Sequence, residues 1–291
     1  MMELQKKAYA KINLSLDVLG KRPDGYHEVR MIMQQLELSD RIRVERTEKP
    51  GFRLVSSVPG LPTDEKNLMV RAARLMFNKF SLSGGLDMEL EKNIPVAAGL
   101  AGGSSDAAAV ICSVNELFGL GLSLGKLQEI GVQIGADVPY CILGGTALSE
   151  GIGERLTVLP PCPPCEVLLC KPPFGASTAE IYKAFDSVPN PFHPQVDAGV
   201  SALRKRNLRD LLPAVGNSLE EVTAGKLPVI PEIEKIMLEE GALAACMSGS
   251  GPTVFGLYEH EKAAGKAGER LKSLWPDCFT AVTSPRQESG F

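Results

Sequence analysis

The sequence predicts two domains that mix helices with strands, an α/β N-terminal part and a smaller α+β C-terminal part, and three observations carry that prediction. From Ala8 to Val18 apolar and polar residues alternate strictly, the period of a half-buried strand. The stretch Pro95–Ala109 crowds three glycines and two serines between a strand-like run and an Ala-rich, helix-forming segment. Pro160-Pro-Cys-Pro-Pro164 stiffens the chain and excludes regular pairing, and beyond it the pattern becomes strand, helices, strand, glycine loop, strand, helix, strand. The domain boundary is placed there, with one domain over 1–160 and the other over 161–291.

The alternation sets Ala8, Ala10, Ile12, Leu14, Leu16 and Val18 on one face and Tyr9, Lys11, Asn13, Ser15 and Asp17 on the other. Lys11 and Asn13 should then project side by side from a polar face, away from the core. Strands are expected at 29–38, 41–47 and 52–57, followed by an amphipathic helix over 66–80 with Leu68, Ala72, Leu75 and Met76 on one stripe. A strand over 86–90 leads into the glycine loop, whose helix runs to Phe118. A second helix, 124–134, starts behind the N-cap candidate Ser123, and Pro139 should interrupt helix character within Gly135–Tyr140. Strands return at 143–149 and 155–159. Past the prolines a short strand covers 167–170, Ser177-Thr-Ala-Glu180 reads as a capping box opening a helix through Tyr182, and polar helices follow to about 240. The end reads as strands at 242–247, 253–258 and 278–283 with a helix over 261–274, the order of an antiparallel sheet, and residues from Gln287 onward read as a loose tail.

With 44% hydrophobic and 23% charged residues in 291, the chain has an ordinary globular composition and enough length for two cores. A formal net charge of −4 supplies no broad basic face, which argues against nucleic acid as the main partner. No apolar run reaches the ~18 residues of a membrane span, and Met-Met-Glu-Leu-Gln-Lys-Lys lacks a signal-like core, so no membrane partner and a cytoplasmic location are expected. Seven cysteines, an odd number, point to reduced thiols; Cys112, Cys141 and Cys246 lie in apolar runs and should be core residues. Cys162-Pro-Pro-Cys165 has C-x-x-C spacing without a second pair or a nearby histidine, and no protein metal ligand is assigned.

The glycine loop suits an anion. Gly99, Gly102 and Gly103 let the backbone turn and approach a bulky group, and Ser104 and Ser105 then open a helix whose unpaired N–H groups face it. The plain alternative is a strand-to-helix turn closed by a serine cap. Neither common nucleotide fingerprint is present: around Gly125-Lys126 a leucine, Leu120, replaces the first glycine and Leu127 follows the lysine, and no G-x-G-x-x-G occurs. If the loop holds a nucleoside triphosphate, phosphoryl transfer needs a group to position the acceptor and a cation nearby. Lys11 and Asp137 are the candidates, against the readings of a surface lysine and a helix cap. Tyr26 and His27, in the turn Asp24-Gly-Tyr-His27, form an exposed pair that could grip a flat heterocycle, or simply a hairpin turn. Ser248-Gly249-Ser250-Gly251 is either a turn between strands or a second anion nest.

Three separated segments make the chain resemble the GHMP small-molecule kinases: the N-terminal strand, the Gly/Ser-rich loop of the P-x-x-x-G-L type, and the late loop Ser248–Phe255. Ala10-Lys-Ile-Asn-Leu14, Arg22-Pro-Asp-Gly-Tyr-His27, Gly99-Leu-Ala-Gly-Gly-Ser-Ser-Asp106 and Gly135-Ala-Asp-Val-Pro139 are similar to the branch whose acceptor is cytidine diphosphate methylerythritol, in the non-mevalonate route to isoprenoid precursors. The resemblance implies a two-domain GHMP kinase fold, its N-terminal domain like a ribosomal-protein RNA-binding domain and its C-terminal domain ferredoxin-like. It implies ATP with Mg²⁺, the metal held chiefly by phosphates and water with Ser105 as a neighbour. Pro95, Val96, Ala97, Ala98, Gly99, Leu100, Ala101, Gly102, Gly103, Ser104 and Ser105 would cradle the phosphates. Asp137 would accept the proton of the 2-hydroxyl, with Lys11 as its electrostatic partner and Asn13 bonded to the substrate nearby. Tyr26, His27 and Tyr182 would enclose the cytosine, with Thr178 near the site. Two rivals remain: another GHMP kinase acting on homoserine, mevalonate or a sugar, and a non-catalytic RNA-binding module, which would need clustered Lys and Arg instead of a cradle.

Overall fold

The computed structural model describes residues 3–290. Strands β1 (Glu3–Lys21) and β2 (His27–Thr47) form one long antiparallel pair. The break expected near residue 40 is absent. The separate strands expected at 29–38 and 41–47 are continuous, because the buried Asp40 carboxylate takes the N–H groups of Asn93 and Ile94 at 2.6 and 2.8 Å and is satisfied without leaving the strand. Around this pair β3 (Gly51–Ser56), β4 (Gly85–Glu91), β5 (Thr146–Gly151), β6 (Arg155–Val158) and the two-residue β8 (Gly216–Asn217) complete a seven-stranded sheet, with β3-β4-β2-β1-β8 in line and β5 and β6 branching from β2. β8, from beyond the proline run, runs parallel to β1 at Ser15 and Leu16.

The second sheet has four antiparallel strands, β7 (Glu166–Lys171), β9 (Ala244–Met247), β10 (Val254–Tyr258) and β11 (Phe279–Thr283), in the order β11-β7-β10-β9. With α9 (Val229–Glu239) before β9 and α10 (Glu261–Leu274) between β10 and β11, this is the split β-α-β arrangement of ferredoxin-like domains. Both faces of β1 are covered. Ala10, Ile12 and Leu14 cluster with Val167, Leu169, Phe255 and Leu257 of the second sheet, while Ala8, Leu16 and Val18 join the core under the helices α1 (Leu68–Phe80) and α2 (Gly102–Leu117). The half-buried strand with a polar outer face is therefore corrected: Lys11, Asn13 and Ser15 are buried.

Several local expectations shift for identifiable reasons. The helix expected at 66–80 starts at Leu68, because the Asn67 side chain caps it by accepting from Met69 N. α3 (Leu124–Gly131) is capped by Ser123 as expected but ends early. Pro139 opens α4 (Val138–Leu143) instead of interrupting a helix, since a missing N–H costs nothing in a first turn. The strand expected from 143 begins only at Thr146, after Gly144 and Gly145 turn the chain at φ 72° and 67°. The tail is not loose: Arg286 Nη1 donates to Gln35 Oε1 at 3.0 Å and Gly290 O at 2.6 Å, and Gly290 N donates to Leu143 O at 2.8 Å. All seven cysteines are unpaired and buried. No helix among the described residues is long and apolar enough to cross a membrane.

Candidate active site

A cavity of about 1090 Å³ opens beside β1 and β2, walled by the glycine loop, the start of α4, the late glycine loop and a helix that begins at Thr178, and the irregularities of β1 aim side chains into it. The β1–β2 register shifts between Tyr9 and Lys11 and again between Asn13 and Ser15. Each shift reverses which residues face which side. Ala8 faces the helix-covered core, Lys11 and Asn13 then take that side, and Leu16 and Val18 resume it, so Lys11, Asn13 and Leu16 line the cavity although strict alternation would separate them. Asp17, assigned to the same face as Lys11, instead bonds His193 Nδ1 at 2.6 Å and Ser218 Oγ at 3.0 Å.

Lys11 is 4% exposed. Its ammonium donates to Asn13 Oδ1 at 2.7 Å and lies 4.0 Å from Asp137 Oδ2, the compensation that a buried charge requires. Asp137 occupies the N-cap position of α4 but makes no side-chain cap bond, and with 35% of its side chain exposed its carboxylate faces the cavity. Neither plain alternative describes these two residues: Lys11 is not a surface lysine and Asp137 does not cap its helix.

The glycine loop forms the opposite wall. Ala97, Gly99 and Ala101 have φ of 52°, 76° and 55°, and their alternation with ordinary residues turns successive amides toward one side. α2 opens at Gly102 with Ala101 as N-cap, two residues before the expected serine start. Of the three glycines only Gly99 has a positive φ. Gly102 is needed for space, because a Cβ there would meet Lys92 Nζ at 2.7 Å. Pro95 to Gly99 and Ala101 to Ser104 line the cavity; Leu100 turns into the core, where its carbonyl accepts from Lys11 N at 3.1 Å. Ser105 is also buried, its hydroxyl without a partner, and Ser104 is the serine at the cavity.

The late loop seals this wall. Ser248 Oγ donates to Gly99 O at 3.1 Å and accepts from Asn13 N at 3.4 Å. Gly249 and Ser250 reach the cavity, Gly251 N closes the turn onto Ser248 O, and Thr178 Oγ1 lies 2.8 Å from Ser250 Oγ. At the far end Tyr26 is 58% exposed, whereas His27, expected beside it at the surface, is buried. Its ring packs on Tyr182 of α5 (Thr178–Phe185), centroids 4.9 Å apart, and burial pushes the Tyr182 phenol up.

Two groups at the cavity were not anticipated. Asp186, at the C-cap of α5, takes His27 Nε2 at 2.6 Å and Lys21 Nζ at 2.5 Å, and those bonds, Lys21 foremost, hold its carboxyl below the usual range. It stands four residues after Tyr182, the spacing that shares a helix face, and that spacing was the available signal. The second is a buried triad beneath the loop: the Lys92 ammonium contacts Asp40 and lies 3.2 Å from Asp106 Oδ2. Burial drives the Asp106 carboxyl well up despite Lys92, since one ammonium serves two carboxylates. Nothing in local sequence spacing links Asp40 to Lys92.

Residues 67–145 match the model described as GHMP kinases N terminal domain, and residues 200–277 match GHMP kinases C terminal. A 4-diphosphocytidyl-2-C-methyl-D-erythritol kinase of Lachnoclostridium phytofermentans is 51% identical over 261 residues, 90% of each chain. The chain belongs to this family of GHMP kinases. A second member, from Geobacillus kaustophilus, is 48% identical over 96% of each chain. A crystal structure titled 4-(cytidine 5'-diphospho)-2C-methyl-D-erythritol kinase superposes with a TM-score of 0.81 at 33% identity, covering 97% of this chain and all of that one. A homoserine kinase from Cytophaga hutchinsonii, 19% identical with a TM-score of 0.76, shares the fold. As a GHMP kinase the protein is an enzyme that phosphorylates a small molecule, and the family uses ATP. The two-domain mixed α and β fold inferred from sequence is the observed one.

Proposed function

We propose that the enzyme transfers the γ-phosphoryl group of ATP to the 2-hydroxyl of 4-diphosphocytidyl-2-C-methyl-D-erythritol, a step toward isoprenoid precursors, in the cytoplasm. The observation that carries this reading is the placement of Lys11, Asn13 and Asp137 between the glycine loop on one side and Tyr26, His27 and Tyr182 on the other, within one cavity. The positive-φ loop and the start of the 16-residue α2 suit the phosphates. The aromatic end suits a base. Asp137 takes the proton as the hydroxyl oxygen bonds to phosphorus and the bond to ADP breaks, while Lys11 holds that oxygen and Asn13 fixes the lysine. Ser248 to Gly251 hold the loop in place.

Mg²⁺ fits as an ion that arrives with ATP. Among the described residues no three His, Cys, Asp or Glu side chains are grouped to hold a metal by themselves, whereas the Ser104 hydroxyl and the Asp137 carboxylate are hard oxygen donors at the cavity. The ion neutralises charge on the phosphate oxygens. The division into domains at about residue 160 is supported by the proline run between β6 and β7, with β8 as the strand that ties the second part back to the first sheet. The test is ADP release with Mg-ATP and the cytidyl substrate, against homoserine, mevalonate and galactose. Turnover confined to the cytidyl compound is expected; turnover with another acceptor and none with this one refutes the assignment.

A further inference from the structure

Asp186 is absent from the roles above, yet among the described residues it alone makes a polar contact with the His27 ring. An ionised carboxylate only accepts hydrogen bonds. With Lys21 on Asp186 Oδ2 at 2.5 Å and His27 Nε2 on Oδ1 at 2.6 Å, both oxygens are engaged by donors, so Nε2 carries a proton. The imidazole lies against Tyr182, centroids 4.9 Å apart, and turning the ring over would put a carbon where Nε2 meets Asp186, so that bond fixes which way the ring faces. Among the described residues no group bonds Nδ1, and His27 lines the cavity.

We propose that Asp186 is the positioning residue that selects cytosine over uracil: by taking a hydrogen bond from His27 Nε2 it leaves Nδ1 as the ring nitrogen that can accept. An acceptor matches the exocyclic amino group of cytosine and opposes the carbonyl oxygen that uracil carries at that position, and a site built for one partner rejects the analogue that leaves its group unpaired. The inference rests on the cytidyl reading of the site.

The experiment measures binding of CDP and of UDP to the full-length enzyme by calorimetry at pH 8, for wild type, Asp186→Asn and Lys21→Met. Asparagine is isosteric, sits at an exposed helix end and offers Nε2 either a donor or an acceptor, so it frees the tautomer without emptying the site. Wild type should prefer CDP by roughly 5- to 100-fold, the range of one unpaired polar group. In Asp186→Asn that ratio should fall to within about 3-fold, because either tautomer is then available. Lys21→Met should change both affinities and keep the ratio. A wild-type ratio retained in Asp186→Asn overturns the role of Asp186, as does a ratio lost equally in Lys21→Met. Wild type that phosphorylates no cytidyl acceptor and binds neither diphosphate refutes the proposed function, and this inference with it; turnover of the cytidyl substrate with an unaltered ratio refutes this inference alone.

Discussion

Replacing Gly99 by alanine should separate the two glycine loops. Gly99 has φ +76°, where an L side chain costs about 1–2 kcal/mol. Its new Cβ would lie 2.3 Å from Ser248 O and 3.1 Å from Gly251 O. Both are backbone atoms of the facing loop and cannot rotate away. Relief requires the loops to move apart, at a cost of about 1–3 kcal/mol for overpacking, and stretches the Ser248 Oγ bond to Gly99 O. The sum, roughly 2–5 kcal/mol, corresponds to a fall in Tm of roughly 3–8 °C given the unfolding entropy expected for 291 residues. Activity should fall further than stability, because the next carbonyl, Leu100 O, anchors the Lys11 backbone. Differential scanning calorimetry and ADP release read the two effects. Gly125→Ala is the control: this glycine lies in α3 with no positive φ and open space where a Cβ would go, so alanine should stabilise by about 0.5–1 kcal/mol. A Gly99→Ala protein that melts and turns over like wild type would refute the claim that the close approach of the loops builds the site.

Asp137→Asn should leave the fold intact, since the side chain makes no cap bond and the Lys11 ammonium, 4.0 Å away, keeps its shorter bond to Asn13 Oδ1, and lower turnover by roughly two to four orders of magnitude; near-normal kcat would remove the residue from its role as base. Tyr26→Ala should chiefly raise KM for the cytidyl substrate, because this exposed ring lies at the end of the cavity remote from Lys11, and a fall in kcat alone would contradict that placement. Glu234 predicts a pH effect on stability. Burial first, then the neighbouring Glu220, push its carboxyl from 4.5 to about 9. Between those values the folded chain keeps a proton that the unfolded chain has lost, so stability falls as pH rises through that window. Glu234→Gln should therefore raise Tm relative to wild type by a margin that grows from pH 5 to pH 9, and a constant margin would show that Glu234 does not titrate in this way.

What was legible in the sequence was whatever depends on local chemistry. Ser123 and Ser177 cap the helices they were expected to cap, because capping is decided within three residues. The order of the last strands and helix is present in their period and in the glycines between them, and it produces the ferredoxin-like sheet. Lys11, Asp137 and Gly99 could be singled out because a lone charge in apolar sequence, or an excess of glycine, is costly without a purpose. Long-range partnerships left no such mark. The sequence divides β2 at Asp40 because the compensation of that carboxylate, Lys92 and two backbone amides, lies more than fifty positions away. The tail looked loose because its anchors, Gln35 and Leu143, belong to other elements.

β1 shows why the same pattern could point to the right residues through the wrong geometry. Alternation with period two makes Lys11 and Asn13 neighbours on one face, which holds, and places Asp17 with them on an outer face, which does not. The two register shifts are invisible in composition, since a bulge changes pairing rather than residue type. Without them Lys11 would stay on the face opposite Ala8, Leu16 and Val18, directed toward the packed contact with the second sheet, where an ammonium has no partner. Bringing it instead to the cavity gives it Asn13 and Asp137. The irregular pairing is what allows a strand whose middle is covered on both faces to carry a lysine there, and the site depends on that irregularity as much as on the glycine loop.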